Sequence, residues 1–183
     1  MKEEFDVLNE WGEFTGKTST REECHKNGLW HRAVYAFVIN DKKEILLQKR
    51  SSNKKQWPNK WDVTIGGHVL AGEFGREALI RETKEEFGID IDDCDIKYLI
   101  GSTSIDTHKD IVNKHFNECY IITKNIDLSE IKLQKEEVSE VRFFTIEEIM
   151  DMVHDNYKNI TEKVGPWNFL ERILNNYYKQ IKN

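Results

Sequence analysis

Gly67-His68-Val69-Leu70-Ala71-Gly72-Glu73-Phe74-Gly75-Arg76-Glu77-Ala78-Leu79-Ile80-Arg81-Glu82-Thr83-Lys84-Glu85-Glu86-Phe87-Gly88-Ile89 is the stretch that decides the reading of this chain. Gly66-Gly67 ahead of it and Gly88 at its end frame a loop, a helix and a second loop. In a helix, Glu82, Glu85 and Glu86 fall at i, i+3 and i+4 and share one stripe. Three like charges so placed repel, and a solvated helix gains nothing from them. A divalent cation reverses the sign, because hard cations take oxygen ligands from a few carboxylates, water and substrate phosphates. The stripe therefore reads as a metal site for phosphate chemistry. The alternative is an ordinary charged helix face.

Working outward, the helix is expected over Gly75–Phe87, with Leu79, Thr83 and Phe87 spaced by four and Ile80 beside them as its core-facing stripe. Ala33-Val34-Tyr35-Ala36-Phe37-Val38-Ile39 is a continuous apolar run of strand length, as a buried strand requires. A turn at Asn40-Asp41-Lys42-Lys43 joins it to a partner strand over 44–50. A polar loop over 51–60 follows, in which Pro58 biases Trp57 towards an extended backbone. Residues 61–65 read as one short strand feeding the Gly66-Gly67 turn. Phe5 to Phe14 reads as a strand, a turn and a return strand, and 15–27 as polar and irregular. Two further strands are expected over 96–102 and 115–123, with the loop 103–114 at the rim of a site. A last strand covers 141–144, Thr145 caps a helix begun by Glu147 and Glu148, and a terminal helix is expected over 166–181. Strands interleaved with helices predict an α/β (α+β) fold in one domain over 1–183, with an N-terminal hairpin at about 4–30.

Composition excludes several classes. A third of the 183 residues are charged and the net charge is −6, which argues against a general nucleic-acid surface. No apolar run approaches membrane-spanning length. The acidic start Met1-Lys2-Glu3-Glu4 lacks the apolar core of a signal peptide. Cys24, Cys94 and Cys119 are an odd, scattered set, which reads as reduced thiols in a cytoplasmic protein.

The same deciding stretch resembles the Nudix box, the signature of the Nudix hydrolases. Gly67, Glu73, Arg81, Glu82, Glu85, Glu86, Gly88 and Ile89 match it, and Thr83 stands where an aliphatic residue is usual. Thr is nearly isosteric with Val, so it can still sit against a sheet. The resemblance implies an α/β/α sandwich with a mixed sheet. It also implies that Glu82, Glu85 and Glu86, with the Gly67 carbonyl, bind Mg²⁺ or Mn²⁺. Arg81 is expected to pair with Glu73 to fix the loop against the helix, and Glu85 to accept the water proton, with Glu136 or Glu137 in reserve. The substrate class so implied is a diphosphate, such as a nucleoside diphosphate derivative or related metabolite. A homodimer is compatible with this fold.

Beyond the box, Leu46-Leu47-Gln48-Lys49-Arg50, Trp57-Pro58, Trp61-Asp62, Gly66-Gly67-His68 and Trp30-His31-Arg32-Ala33 resemble a Nudix subgroup close to isopentenyl-diphosphate isomerase. The isomerases place a catalytic Cys directly before the Gly-His pair, and this chain has Gly66 there. They also break the Glu-rich box that this chain keeps. Both departures favour hydrolysis over isomerisation. His68 aligns with a metal-binding histidine of the isomerases and, with Arg50, is a candidate to contact substrate. His25 and His31 sit near the other isomerase metal positions with a separation one residue short. A second, histidine-based metal site and a structural role for His31 are the two readings. Trp57 and Trp61 either pack or cover the substrate. Glu118 either approaches the metals or faces solvent. A silent Nudix-fold binding module is a third functional reading, and the intact Glu set speaks against it.

Overall fold

A computed structural model describes residues 3–108 and 111–162, together with Trp167 and Leu170. In chain order the elements are β1 (Glu4–Leu8), β2 (Phe14–Thr20), α1 (Arg21–Asn27), β3 (Trp30–Ile39), β4 (Ile45–Arg50), β5 (Trp61–Asp62), β6 (Ile65–His68), α2 (Gly75–Phe87), β7 (Ile96–His108), β8 (Ile111–Thr123), β9 (Val138–Phe144) and α3 (Ile146–His154). The nine strands form one mixed sheet. The apolar run 33–39 lies in β3, the strand on which the sheet is organised. β3 pairs in parallel with β8 from Trp30↔Lys114 to Ile39↔Thr123. On its other side it takes β1 at Leu8↔Trp30, β6 from Ala33↔His68 to Ala36↔Ile65, and β4 at Val38↔Leu46 and Ile39↔Ile45, all antiparallel.

Side chains alternate across β3, and the two faces build two cores. Val34, Ala36 and Val38 pack with Leu46, Ile65, Ala78, Leu79 and Phe87 beneath α2. Phe37 and Ile39 pack on the opposite face with Leu47, Val63, Ile121, Ile149 and Val153, and with Trp167 and Leu170. The sheet thus lies between α2 on one side and α3 on the other, the α/β/α sandwich that the resemblance implies. The box helix occupies the expected residues. The Phe74 N–H donates to Glu77 Oε2 at 2.8 Å at its start. Gly88 ends it in the left-handed region at φ 69°, where a side chain would be strained. Thr83 is fully buried, and its hydroxyl donates to the Leu79 carbonyl at 2.7 Å. That bond is why a Thr fits a position built for an aliphatic residue.

Four expectations change. Residues 15–27 are regular: β2 extends to Thr20, and Thr20 caps α1 through a reciprocal pair with Glu23, a signal that the polar composition hid. Residues 61–65 divide between β5, on β4, and β6, on β3. Most of the expected rim loop 103–114 belongs to β7 and β8, which form a long antiparallel hairpin. Trp57 has φ 46° despite the following proline; Arg50 grips the Gln56 carbonyl through Nε and NH2 at 3.2 and 3.1 Å, fixing the preceding peptide. The terminal helix expected over 166–181 lies outside the described residues except for Trp167 and Leu170. No helix among the described residues is long and apolar enough to cross a membrane.

The two α2 positions separate packing from hydrogen bonding. Leu79→Ala should lower stability by about 2–5 kcal/mol in urea unfolding, because it opens a cavity under the helix. Thr83→Val removes a hydroxyl whose acceptor already receives a helical N–H, and should change stability by less than about 1 kcal/mol. The reverse ranking would contradict the packing described.

Candidate functional site

Arg81 organises the box. Its Nε and NH2 donate to the two oxygens of Glu73, both at 3.0 Å, as a two-toothed fork, and NH2 also donates to the His68 carbonyl at 2.9 Å. NH1 donates to Glu82 at 2.8 Å and to Glu85 at 3.3 Å. Glu73 in turn accepts the Leu70 N–H at 2.9 Å, and its carbonyl accepts from Arg32 at 2.6 Å. The loop 67–74 is therefore tied to the helix by one guanidinium.

The three stripe carboxylates differ. Burial pushes the Glu82 carboxyl above the usual range, while the Arg81 hydrogen bond and charge pull the other way. Gly67 lies so close to it that an added Cβ would stand 2.2 Å from Glu82 Cδ; only a glycine admits the carboxylate to the loop. Glu86 is buried, with the Gln48 amide donating to it at 3.3 Å. The Glu85 side chain is 55% exposed, the most open of the three. The stripe offers carboxylate oxygens, with the Gly67 backbone close against Glu82, and oxygen is the donor type that a hard divalent cation takes.

The remaining sequence-level candidates are placed as follows. Arg50 pairs with the buried Asp62 at 3.1 Å and holds the Gln56 carbonyl, so its guanidinium anchors the 51–60 loop. Glu137 pairs with Lys54, and Glu136 is exposed. Their segment is pinned to the end of the box helix by Lys132 N–H to the Phe87 carbonyl at 2.8 Å and Gln134 N–H to the Glu86 carbonyl at 2.9 Å. Glu118, on β8, lies against Gly75 at the start of α2, where it accepts the Tyr120 hydroxyl and sits 3.9 Å from Arg32. Trp61 packs edge-on against Phe144.

His68 turns to the other side of the sheet. Alternation along β6 sends Gly67 to α2 and His68 to the opposite face, where it meets His25 of α1, His31 of β3 and His115 of β8. One donor atom from each of the four lies within 4.8 Å of the other three. Among the described residues this is the one group of acidic, histidine or cysteine side chains that converges so tightly. Phe5 stacks on His31 and His68 at centroid distances of 5.1 and 4.8 Å. Burial first, then the neighbouring His31 and Arg21 charges, lowers His25 to about 4. Burial likewise lowers His31 and takes His68 well below the histidine range. All three shifts favour the uncharged ring. The one-residue deficit between His25 and His31 does not keep them apart, because Gly28, at φ 60°, folds α1 back onto β3. Sequence reasoning missed His115, since only the parallel register His31↔His115 brings it in.

The architecture and box are those of an acid-anhydride hydrolase built on an α/β/α sandwich. The NUDIX domain profile matches residues 29–167, and the chain belongs to the Nudix hydrolase family. It is 40% identical over 147 residues to an uncharacterized Nudix hydrolase of Listeria monocytogenes, covering 80% of this chain and 82% of that one. It is 30% identical to isopentenyl-diphosphate Delta-isomerase 1 of Photorhabdus laumondii, covering 87% of this chain and 88% of that one. The crystal structure of DR0079 from Deinococcus radiodurans superposes with a TM-score of 0.71 at 21% identity, over 93% of this chain and 99% of that one.

The thiols bear on the isomerase comparison. Gly66 and Cys119 both pair with Tyr35, from opposite sides of β3, so Cys119 is two strands, or about 10 Å, from position 66. Burial pushes the Cys119 thiol up to about 12 and raises Cys24 as well. Cys94 is exposed. In the native protein at pH 8, a disulfide reagent such as DTNB should titrate one thiol quickly, and all three in guanidinium. Three fast thiols in the native protein would contradict this placement.

Proposed function

We propose that this chain is a divalent-metal-dependent hydrolase that cleaves a diphosphate linkage in a nucleoside diphosphate derivative or related metabolite. The observation that carries the reading is the intact Glu82, Glu85 and Glu86 stripe on a helix whose loop is held to it by Arg81. Glu82, Glu85 and Glu86, with the Gly67 carbonyl, are the residues that would hold Mg²⁺ or Mn²⁺. Such an ion, when bound, neutralises phosphate charge. Arg81 and Glu73 orient the loop and touch no substrate atom. Glu86 is buried and fixed by packing, and the half-buried Glu82 is held by Arg81. Glu85 faces water and is the residue assigned to take the proton from the attacking water. Water adds to phosphorus as the bridging P–O bond breaks, and the proton stays on Glu85 until product leaves. Glu136 and Glu137 are the reserve bases, supported by their segment's anchorage to the helix end.

Isomerase-type chemistry is the second reading, supported by the relative at 30% identity. Gly66 supplies no thiol at the position where the isomerases carry theirs, and Cys119 lies beyond β3 with its thiol held protonated.

The test is a panel of nucleoside di- and triphosphates, nucleotide sugars, dinucleotides and isopentenyl diphosphate, each with Mg²⁺ or Mn²⁺. Wild type should cleave at least one nucleotide compound. Glu85→Gln and Glu86→Gln should each lower the rate by about 10²-fold or more. Gly67→Ala, which drives a methyl group into Glu82, should be impaired as well. Isomerisation of isopentenyl diphosphate without any hydrolysis would overturn the reading.

A further inference from the structure

We propose that His25, His31, His68 and His115 form a closed, all-imidazole site for a borderline transition-metal ion such as Zn²⁺, separate from the box and structural in role. Three independent features of the cluster carry this. The donor atoms of four residues from four elements lie within 4.8 Å of one another. All six ring pairs are close, with centroids from 4.6 Å for His31 and His115 to 6.4 Å for His25 and His115. The second feature is the orientation of His31, which is fully buried. Its Nδ1–H donates to the Leu29 carbonyl at 2.9 Å. A backbone carbonyl on one ring nitrogen fixes the tautomer and leaves the lone pair on the other, the arrangement typical of metal-ligating histidine. The third is that Nε2 of His25, His31 and His68 is buried with no hydrogen-bond partner among the described residues. Buried polar nitrogens are nearly always satisfied, and a shared ion satisfies three at once.

The chemistry of the donors selects the metal. Imidazole nitrogens suit Zn²⁺, Co²⁺ and Ni²⁺, whereas Mg²⁺ and Mn²⁺ favour the oxygens of the box. Tetrahedral coordination at about 2.0–2.1 Å spaces donors about 3.3 Å apart, so binding draws the rings in by roughly an ångström. Four protein ligands complete a tetrahedron and leave no position for substrate, which is the mark of a structural site. His115 is what closes it, going beyond the three positions that resemble the isomerases. The ion would tie α1 to β3, β6 and β8, and through His68 it would steady the strand that presents Gly67 to Glu82.

The test is titration of chelator-treated protein with Co²⁺, read by visible absorption, with Zn²⁺ and Mg²⁺ as competitors, and with thermal unfolding in parallel. The double variant Glu85→Gln/Glu86→Gln, in which the box site is disabled, should bind one Co²⁺ per chain. Zn²⁺ should displace it, about a thousandfold excess of Mg²⁺ should not, and Zn²⁺ should raise the melting temperature. His31→Asn and His115→Asn should weaken binding at least about tenfold. In the Glu85→Gln/Glu86→Gln background, no Co²⁺ binding, displacement by Mg²⁺, or binding undiminished by His31→Asn/His115→Asn would overturn the proposal. Should the histidine variants fail to fold, the competition in the Glu85→Gln/Glu86→Gln protein decides it alone. Loss of hydrolysis is not a readout here, so this proposal and the proposed function fail separately.

Discussion

Two adjacent residues of one strand serve opposite faces of the sheet, and the arrangement of both candidate sites depends on that alternation. Gly67 faces α2, where its missing side chain admits the Glu82 carboxylate. His68 faces the other way into a cluster of imidazoles. A shift of one residue in the pairing of β6 with β3 would exchange them. It would drive a ring into Glu82 and take a nitrogen from the cluster. Four paired positions, from Ala33↔His68 to Ala36↔Ile65, fix the register. The apolar alternation of β3 enforces it, because each face of β3 is committed to a separate core.

The Arg81 guanidinium is the electrostatic counterpart of this geometry. A stripe of three carboxylates in a chain of net charge −6 gathers negative charge on one face of α2. Arg81 balances part of that charge and holds Glu73, Glu82, Glu85 and the His68 carbonyl in one network. The network also joins the two faces, since the carbonyl that Arg81 holds belongs to the histidine whose ring lies across the sheet. Arg50, by contrast, is spent on Asp62 and Gln56, and fixes a loop.

Local signals made the box, the central strand and the capped α3 legible from the sequence. Glycine brackets, carboxylates at i, i+3 and i+4, a seven-residue apolar run, and Thr145 before two acids each act within a few residues. What was not legible depends on partners far away in the chain. The 103–114 segment reads as a loop because it is polar, and only the pairing of β7 with β8 makes most of it regular. Polar 15–27 concealed β2 and α1 for the same reason, although the Thr20 and Glu23 pair was in view. The histidine cluster needed the parallel register of β3 and β8. His115 carries no local mark that separates it from an ordinary strand histidine.

The central claim is that the carboxylate face holds the metal for diphosphate chemistry, apart from the imidazoles on the far side of the sheet. Anomalous diffraction from crystals soaked in Mn²⁺ tests it most directly. The account predicts a peak against Glu82, Glu85 and Glu86 that disappears in the Glu85→Gln/Glu86→Gln protein. Manganese found only among the four histidines, or a peak at the box indifferent to those substitutions, would contradict it.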